Sequence, residues 1–318
     1  MDERLIRTRF NALGQKEKAA LMKEIAKRFG VSYKGLLHFS RWRSEITTGI
    51  FEKGKSQFMF IPGDTVTMGW AGFFEGLTAD SIKELREVFE EIEFEGTYEE
   101  FLCPMLTPQR TVEIMPMLVE RNPRGIYGDK IPVDDPRVRP EWREALTRAI
   151  SGRETPTAFT IIDQVRFTRN GDIWKAEIYS DVTYAGLLED LAADGYSLPT
   201  ADEWAYLSGG GCPTLFPWGD GITLGLRLRH FDDSGDDSPY DLEQPNLFGI
   251  KIAFDPYKSE LIHAASPMSM GGDGGGNICG GLGKFLGYLP CSPYYKPQAV
   301  KEPIDGELYF YRRIIRIE

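Results

Sequence analysis

The spacing of apolar positions changes several times along this chain, and each change predicts an element. Leu21, Ile25 and Phe29 recur at helical spacing, so a helix is expected up to Gly30, a residue that tolerates the left-handed backbone of a helix end. Ser32 can cap a second helix carrying Leu36 and Phe39, so Gln15–Trp42 reads as two short helices. From Gly49 to Ile61 the pattern is that of a hairpin with its turn near Lys53–Lys55. Ala79–Phe94 places Ile82, Leu85, Phe89 and Ile92 on one face with charges opposite, an amphipathic helix that reads as an insertion over about 78–100.

Arg110–Glu120 reads as a strand, and Pro140 opens a helix through Trp142, Ala145, Leu146 and Ala149. Phe159–Phe167 and Ile173–Ile178 flank Asn170 and Gly171, a strong hairpin-turn pair. Tyr184, Leu187, Leu188 and Leu191 mark another helix, and Thr200 with Glu203 forms a capping box. Beyond Cys212 the chain is rich in Gly, Pro, Asp and aromatic residues, as short strands joined by ordered loops require. Scattered short strands with a few helices argue for an α+β fold rather than a parallel sheet. The expected division is a helical extension over 1–48 and a main domain over 49–318.

Composition sharpens this picture in three places. Apolar residues at 42% and charged residues at 27% are ordinary globular values. The net charge of −11 is uneven: residues 1–45 carry 11 Lys/Arg against 5 Asp/Glu, about +6, which leaves about −17 on the rest. Such an acidic body is a poor partner for nucleic acid or an anionic membrane. No apolar run is long enough for a membrane span, and the N-terminus has no apolar signal-peptide core, so a cytoplasmic protein is expected. Two short basic helices could instead dock on the acidic body, because they cannot bury Leu21, Ile25, Phe29, Leu36 and Phe39 alone.

The segment from Glu24 to Leu37 is also similar to a helix-turn-helix, with Ala26, Gly30 and Leu36 at its small, turn and apolar positions. Tyr33, Lys34, His38 and Arg41 would then face DNA. Gly35 weakens that recognition helix, so nucleic acid is not the expected partner. The glycine run Gly271–Gly276 lacks the Lys-Ser/Thr of a phosphate-cradling loop and reads as backbone held at positive φ. The four cysteines, Cys103, Cys212, Cys279 and Cys291, form no CxxC pair, and three histidines stand far apart, so neither a zinc site nor a disulfide framework is indicated.

Four segments, in order, resemble the formylglycine-generating-enzyme (sulfatase-modifying factor) family. They are Phe60–Gly69; Tyr196–Tyr206 followed by Phe216–Asp220; Pro245–Ile250 with Ser259–Leu261; and the glycine run Gly271–Gly276 with a terminal strand over Tyr309–Ile317. The second is the most specific, with its Leu198-Pro199-Thr200, Glu203-Trp204 and Pro217-Trp218-Gly219. The resemblance covers the chain from about Phe58 onward and implies a C-type-lectin-like α+β fold, with Trp204 and Trp218 as core anchors.

In catalytic members of that family two cysteines bind copper(I) and oxidise a substrate cysteine; soft thiolates suit that metal. Cys279 stands at the first position and Lys284 at the second, so copper is not expected. Cys291 could pair with Cys279 only if the intervening loop folds back, and no base for a nucleophilic Cys279 is recognisable. The catalytic candidates are thus Cys279 and Cys291. A sister branch with an iron site needs histidines from an N-terminal bundle that this chain lacks. The resemblance also implies calcium in the long loops, for which Asp232, Asp236 and Asp241 are the candidates. Its substrate groove corresponds to exposed aromatics around Tyr288, Tyr294 and Tyr295. The expected function is non-catalytic recognition of a protein or small-molecule ligand; the alternatives are a divergent oxidase or protein-modifying enzyme using the same groove, and a DNA-linked regulator.

Overall fold

A computed structural model describes residues 2–126, 130–152, 156–162, 164–179, 182–223, 225–232 and 238–318. Its first long helix, Gln15–Phe29, starts where the Glu17 carboxylate accepts the Gly14 N–H at 2.8 Å and ends on Gly30 at φ 62°. Leu21, Met22 and Ile25 are buried in the main core together with Phe10.

The expected second helix is a strand. Ser32–Arg41 pairs antiparallel with Ser44–Lys53, with a bulge at Gly35, whose φ is 144°. The neighbouring run Ile46, Thr47, Thr48, Ile50 and Phe51 supplies a β partner, and this long ladder overrides the helical spacing of Leu36 and Phe39. The helix-turn-helix reading is therefore incorrect: Tyr33, Lys34, His38 and Arg41 lie on a β-hairpin, not on a recognition helix. The next turn follows expectation: Lys53 pairs with Ser56, and Gly54 at φ 60° occupies the first central position, as a type II′ turn requires.

These strands build an antiparallel five-stranded sheet in the order Ser32–Arg41, Ser44–Lys53, Ser56–Ile61, Met117–Glu120, Ile314–Arg316. The boundary expected near residue 48 falls inside its second strand. Phe58, Phe60, Leu118 and Val119 are fully buried, so the middle of the sheet is covered on both faces. Arg110–Glu120 is two strands, not one. Pro116, which has no N–H to donate, separates Arg110–Ile114, paired with Asp64–Met68, from Met117–Glu120.

The terminal segment splits likewise. Tyr309–Tyr311 joins a second five-stranded sheet beside Ser259–Ile262, with Met268–Met270, Gln298–Ala299 and Arg124–Gly125 completing it. Arg312, between the two halves, is fully buried and bound in parallel to both oxygens of Glu260 at 2.9 and 2.7 Å.

A separate unit lies within 130–178. Strands Ile131–Pro132, Ile173–Ile178, Val165–Asn170 and Ala158–Ile161 form one sheet against helix Pro140–Ile150, around a core of its own made by Ile131, Val138, Trp142, Leu146, Val165, Phe167 and Ala176. Its hairpin turns on Gly171 and Asp172, with Asn170 already paired to Ile173. Helix Ala79–Glu91, by contrast, buries Leu85 and Val88 in the main core. The molecule is thus an α+β fold of several sheets and helices. Among the described residues no helix is long and apolar enough to cross a membrane.

Candidate functional site

Cys279 ends the four-residue helix Gly276–Cys279, which follows Gly275 at φ 79°, and its thiol is exposed. Its Sγ lies 3.1 Å from the Tyr257 hydroxyl oxygen. The Tyr257 ring sits 4.6 Å from the His230 ring, and His230 Nε2 is 2.9 Å from Asp255 Oδ1, which also accepts the Tyr257 N–H at 3.0 Å. The hydrogen bond with Cys279 pushes the Tyr257 phenol above its ordinary value, so it stays protonated at neutral pH and cannot take the thiol's proton.

Cys291 lies in a different setting. It is buried, its thiol donates to the Gly271 carbonyl, and burial pushes it well up. Lys284 holds its ammonium 5.8 Å from the Phe231 ring centre. Cys279 is exposed and Cys291 buried, so the two candidate thiols lie in different environments. Tyr257, His230 and Asp255 were not singled out in the sequence, because no short spacing links them to Cys279.

The acidic candidates are already engaged. Asp232 binds the Arg227 guanidinium at 2.7 Å, and Asp241 accepts the Arg227 N–H at 2.8 Å and faces Arg41 Nη2 at 3.3 Å. Asp236 lies outside the described residues. Among the described residues no group of three or more His, Cys, Asp or Glu is placed to hold a metal ion.

The aromatic candidates need correcting. Tyr288 and Tyr294 are each only 1% exposed, and Tyr295 is half-buried. Tyr288 ends helix Gly283–Tyr288 and faces inward against Phe231, its ring 6.2 Å away. The Tyr294 hydroxyl donates to the Cys212 carbonyl, inside the wall of a cavity. These two rings are buried in the core rather than exposed on a groove.

That cavity, of about 480 Å³, opens between the tip of the first hairpin and residues 209–219. Arg41 pairs with Ser44, leaving Trp42 and Arg43 as the two turn residues, at φ 45° and 64°. Both φ values are left-handed, which matches the strand twist but is normally met by Asn-Gly. The tip is tied down on three sides. Trp42 meets Trp218 at 5.4 Å, the Arg41 guanidinium covers the Trp42 ring at 4.3 Å and pairs with Asp241, and Arg43 pairs with Glu75.

The opposite wall is equally fixed. Trp218 stacks on Phe216 at 4.7 Å and donates its indole N–H to Gly221 O at 3.1 Å. Buried Asp220 accepts the N–H groups of Glu75, Gly76 and Leu215, so one carboxylate orients both the Glu75 loop and the 213–219 turn. Gly211, at φ 79°, allows the backbone to lie against Val66, where a Cβ would come within 2.3 Å of Val66 Cγ2. Arg7 reaches in from the N-terminal segment, donating to Gly210 O at 2.7 Å. Cys212 lines this wall, and burial pushes its thiol up to about 11.

Trp218 is half-buried rather than a closed core anchor, whereas Trp204 is fully buried. Three arginines line the cavity, and each has a carboxylate partner: Arg7 faces Asp64 at 3.6 Å, Arg41 faces Asp241 at 3.3 Å, and Arg43 pairs with Glu75. Such a site offers two half-buried indoles and three guanidinium groups, each held by a carboxylate. Compared with protein-family models and with curated proteins, the sequence matches none.

Proposed function

We propose that the chain is a non-catalytic recognition protein on a formylglycine-generating-enzyme-like, C-type-lectin-like scaffold, and that the Trp42–Trp218 cavity is its ligand site. The scaffold reading is supported by the four ordered segments and by their surroundings. Thr200 and Glu203 exchange capping hydrogen bonds at 3.3 and 2.8 Å, Trp204 is buried one turn later, and Phe216 and Gly219 close the turn around Trp218 with mutual backbone hydrogen bonds.

One observation carries the functional reading: a tryptophan and an arginine occupy left-handed positions at a hairpin tip that asparagine and glycine would fill without strain. Each such non-glycine residue costs on the order of 1–3 kcal/mol where surrounding contacts enforce it, and such strain clusters at ligand clamps. Here it displays an indole and a guanidinium at the mouth of a cavity. Against this, Cys279 has a phenol rather than a base beside it, so the geometry favours binding over catalysis.

The ligand that fits is a flat aromatic group bearing a carboxylate: the ring lies against the indoles, and the anion meets the guanidinium groups at the mouth. 3-Phenylpropionate is a suitable probe, titrated by ligand-observed NMR. Saturable millimolar binding is expected, weakened by Trp42→Ala and by replacing the carboxylate with a neutral amide. Equal binding to wild type and Trp42→Ala, or no saturation, would contradict the proposal.

A further inference from the structure

A second cleft, of about 380 Å³, lies at the far end of the same sheet, under the turn at Gly54. Four cationic side chains line it, Lys53, Lys55, Arg124 and Arg313, and one carboxylate, Asp194. Its floor is the buried ring of Tyr196, with Lys53 Nζ and the Arg313 guanidinium each 4.5 Å from the ring centre. Arg313 binds both oxygens of buried Glu120 at 2.8 Å and donates to Ser56 Oγ at 2.7 Å; Arg124 reaches the same two partners at 3.4 and 3.3 Å. One carboxylate thus sits between two guanidiniums and fixes their position.

Lys53 and Lys55 have no carboxylate within ion-pair distance among the described residues; neighbouring Lys34 takes Glu52. Four cations gather in this one concavity beside Glu120 and Asp194, on a chain whose net charge is −11. Like charges gathered in a cleft repel unless an anion lies between them. The two arginines are pre-oriented by Glu120 and Ser56, and the two lysines add point charges beside them, a division of labour that suits a phosphate group.

We propose that this cleft binds a small soluble molecule through a phosphate monoester or pyrophosphate group. The site rests on a different set of residues from the Trp42 cavity, so either can fail without the other. The test is calorimetric titration of inorganic pyrophosphate into the full chain at constant ionic strength, for wild type, the double variant Lys53→Ala/Lys55→Ala, the charge reversal Lys55→Glu, and Trp42→Ala. One saturable site is expected in wild type, unchanged in Trp42→Ala and weakened at least about tenfold in the double variant. Lys55 is exposed, so Lys55→Glu should fold normally and also lose affinity. Absence of saturable binding in wild type, or equal affinity in wild type and both lysine variants, overturns the proposal. So does binding only to vesicles containing phosphatidic acid with none to pyrophosphate.

Discussion

The indole of Trp42 meets that of Trp218 at 5.4 Å between ring centres and 56° between planes. One comes from a strained hairpin tip, the other from a turn that stacks it on Phe216. The contact joins two parts of the chain that share no local sequence pattern, and it forms one side of the cavity.

The strain at that tip can be measured apart from its contacts. Arg43 is 81% exposed in its side chain, and its ion pair with Glu75 lies at the surface, where such pairs contribute little. Glycine accepts φ 64° freely. Arg43→Gly is therefore expected to stabilise the protein by about 1 kcal/mol, read by denaturant unfolding. A loss of stability would mean that the side chain, not the backbone, governs this position.

Trp204 and Trp218 should differ in their contribution to stability. Trp204 is fully buried, and Trp204→Ala is expected to destabilise by about 3–5 kcal/mol. Trp218 keeps one side open to the cavity, so Trp218→Ala should cost less, about 1–2 kcal/mol. Equal losses in chemical unfolding would contradict this assignment.

Glu120 makes stability depend on pH. Burial alone would raise its carboxyl, but hydrogen bonds from Arg313 and Ser56 and the charges of Arg313 and Arg124 outweigh it, and the group lies below its ordinary 4.5. Between the folded and the ordinary values the unfolded chain binds more protons, so this contribution is complete above about 4.5 and declines as pH falls further. Glu120→Gln should cost about 3 kcal/mol at neutral pH, because it leaves buried guanidinium charge uncompensated. It should also flatten the fall in melting temperature on acidification below pH 4.5; an unchanged acid slope would show that other carboxylates dominate.

The cysteines should separate by environment. Cys103 and Cys279 are exposed, whereas burial raises both Cys212 and Cys291. Iodoacetamide at pH 8 should label Cys103 and Cys279 in the folded protein and leave Cys212 and Cys291 unmodified until unfolding, as read by peptide mass spectrometry. Rapid labelling of Cys291 would show that its thiol reaches solvent.

How much of this was legible in the sequence depended on distance along the chain. Gly30 ending a helix, Gly54 turning a hairpin, and Thr200 with Glu203 capping a helix are all set by neighbours, and all were readable. The helical spacing within Ser32–Arg41 misleads because its partner strand, not its own spacing, decides its conformation. The unit within 130–178 showed its helix and hairpin but not its separate core, which exists only once four strands meet. Tyr288 and Tyr294 read as exposed in the sequence because a loop-rich composition does not reveal which rings are buried beneath the loops. The cavity draws on Arg7, Arg41–Ser44, Phe74, Glu75, residues 209–214 and 217–219, and Leu247, too scattered for any motif to mark.

The most direct test of recognition at Trp42 and Trp218 follows the six tryptophan indole N–H signals by ¹⁵N NMR during titration with 3-phenylpropionate. Trp42→Phe and Trp218→Phe variants assign the two signals of interest. The expected result is a saturable shift of the Trp42 and Trp218 signals together, with those of Trp70, Trp142, Trp174 and Trp204 unmoved. Shifts confined to the other four, or no saturable shift at all, would contradict the assignment of this cavity as the ligand site.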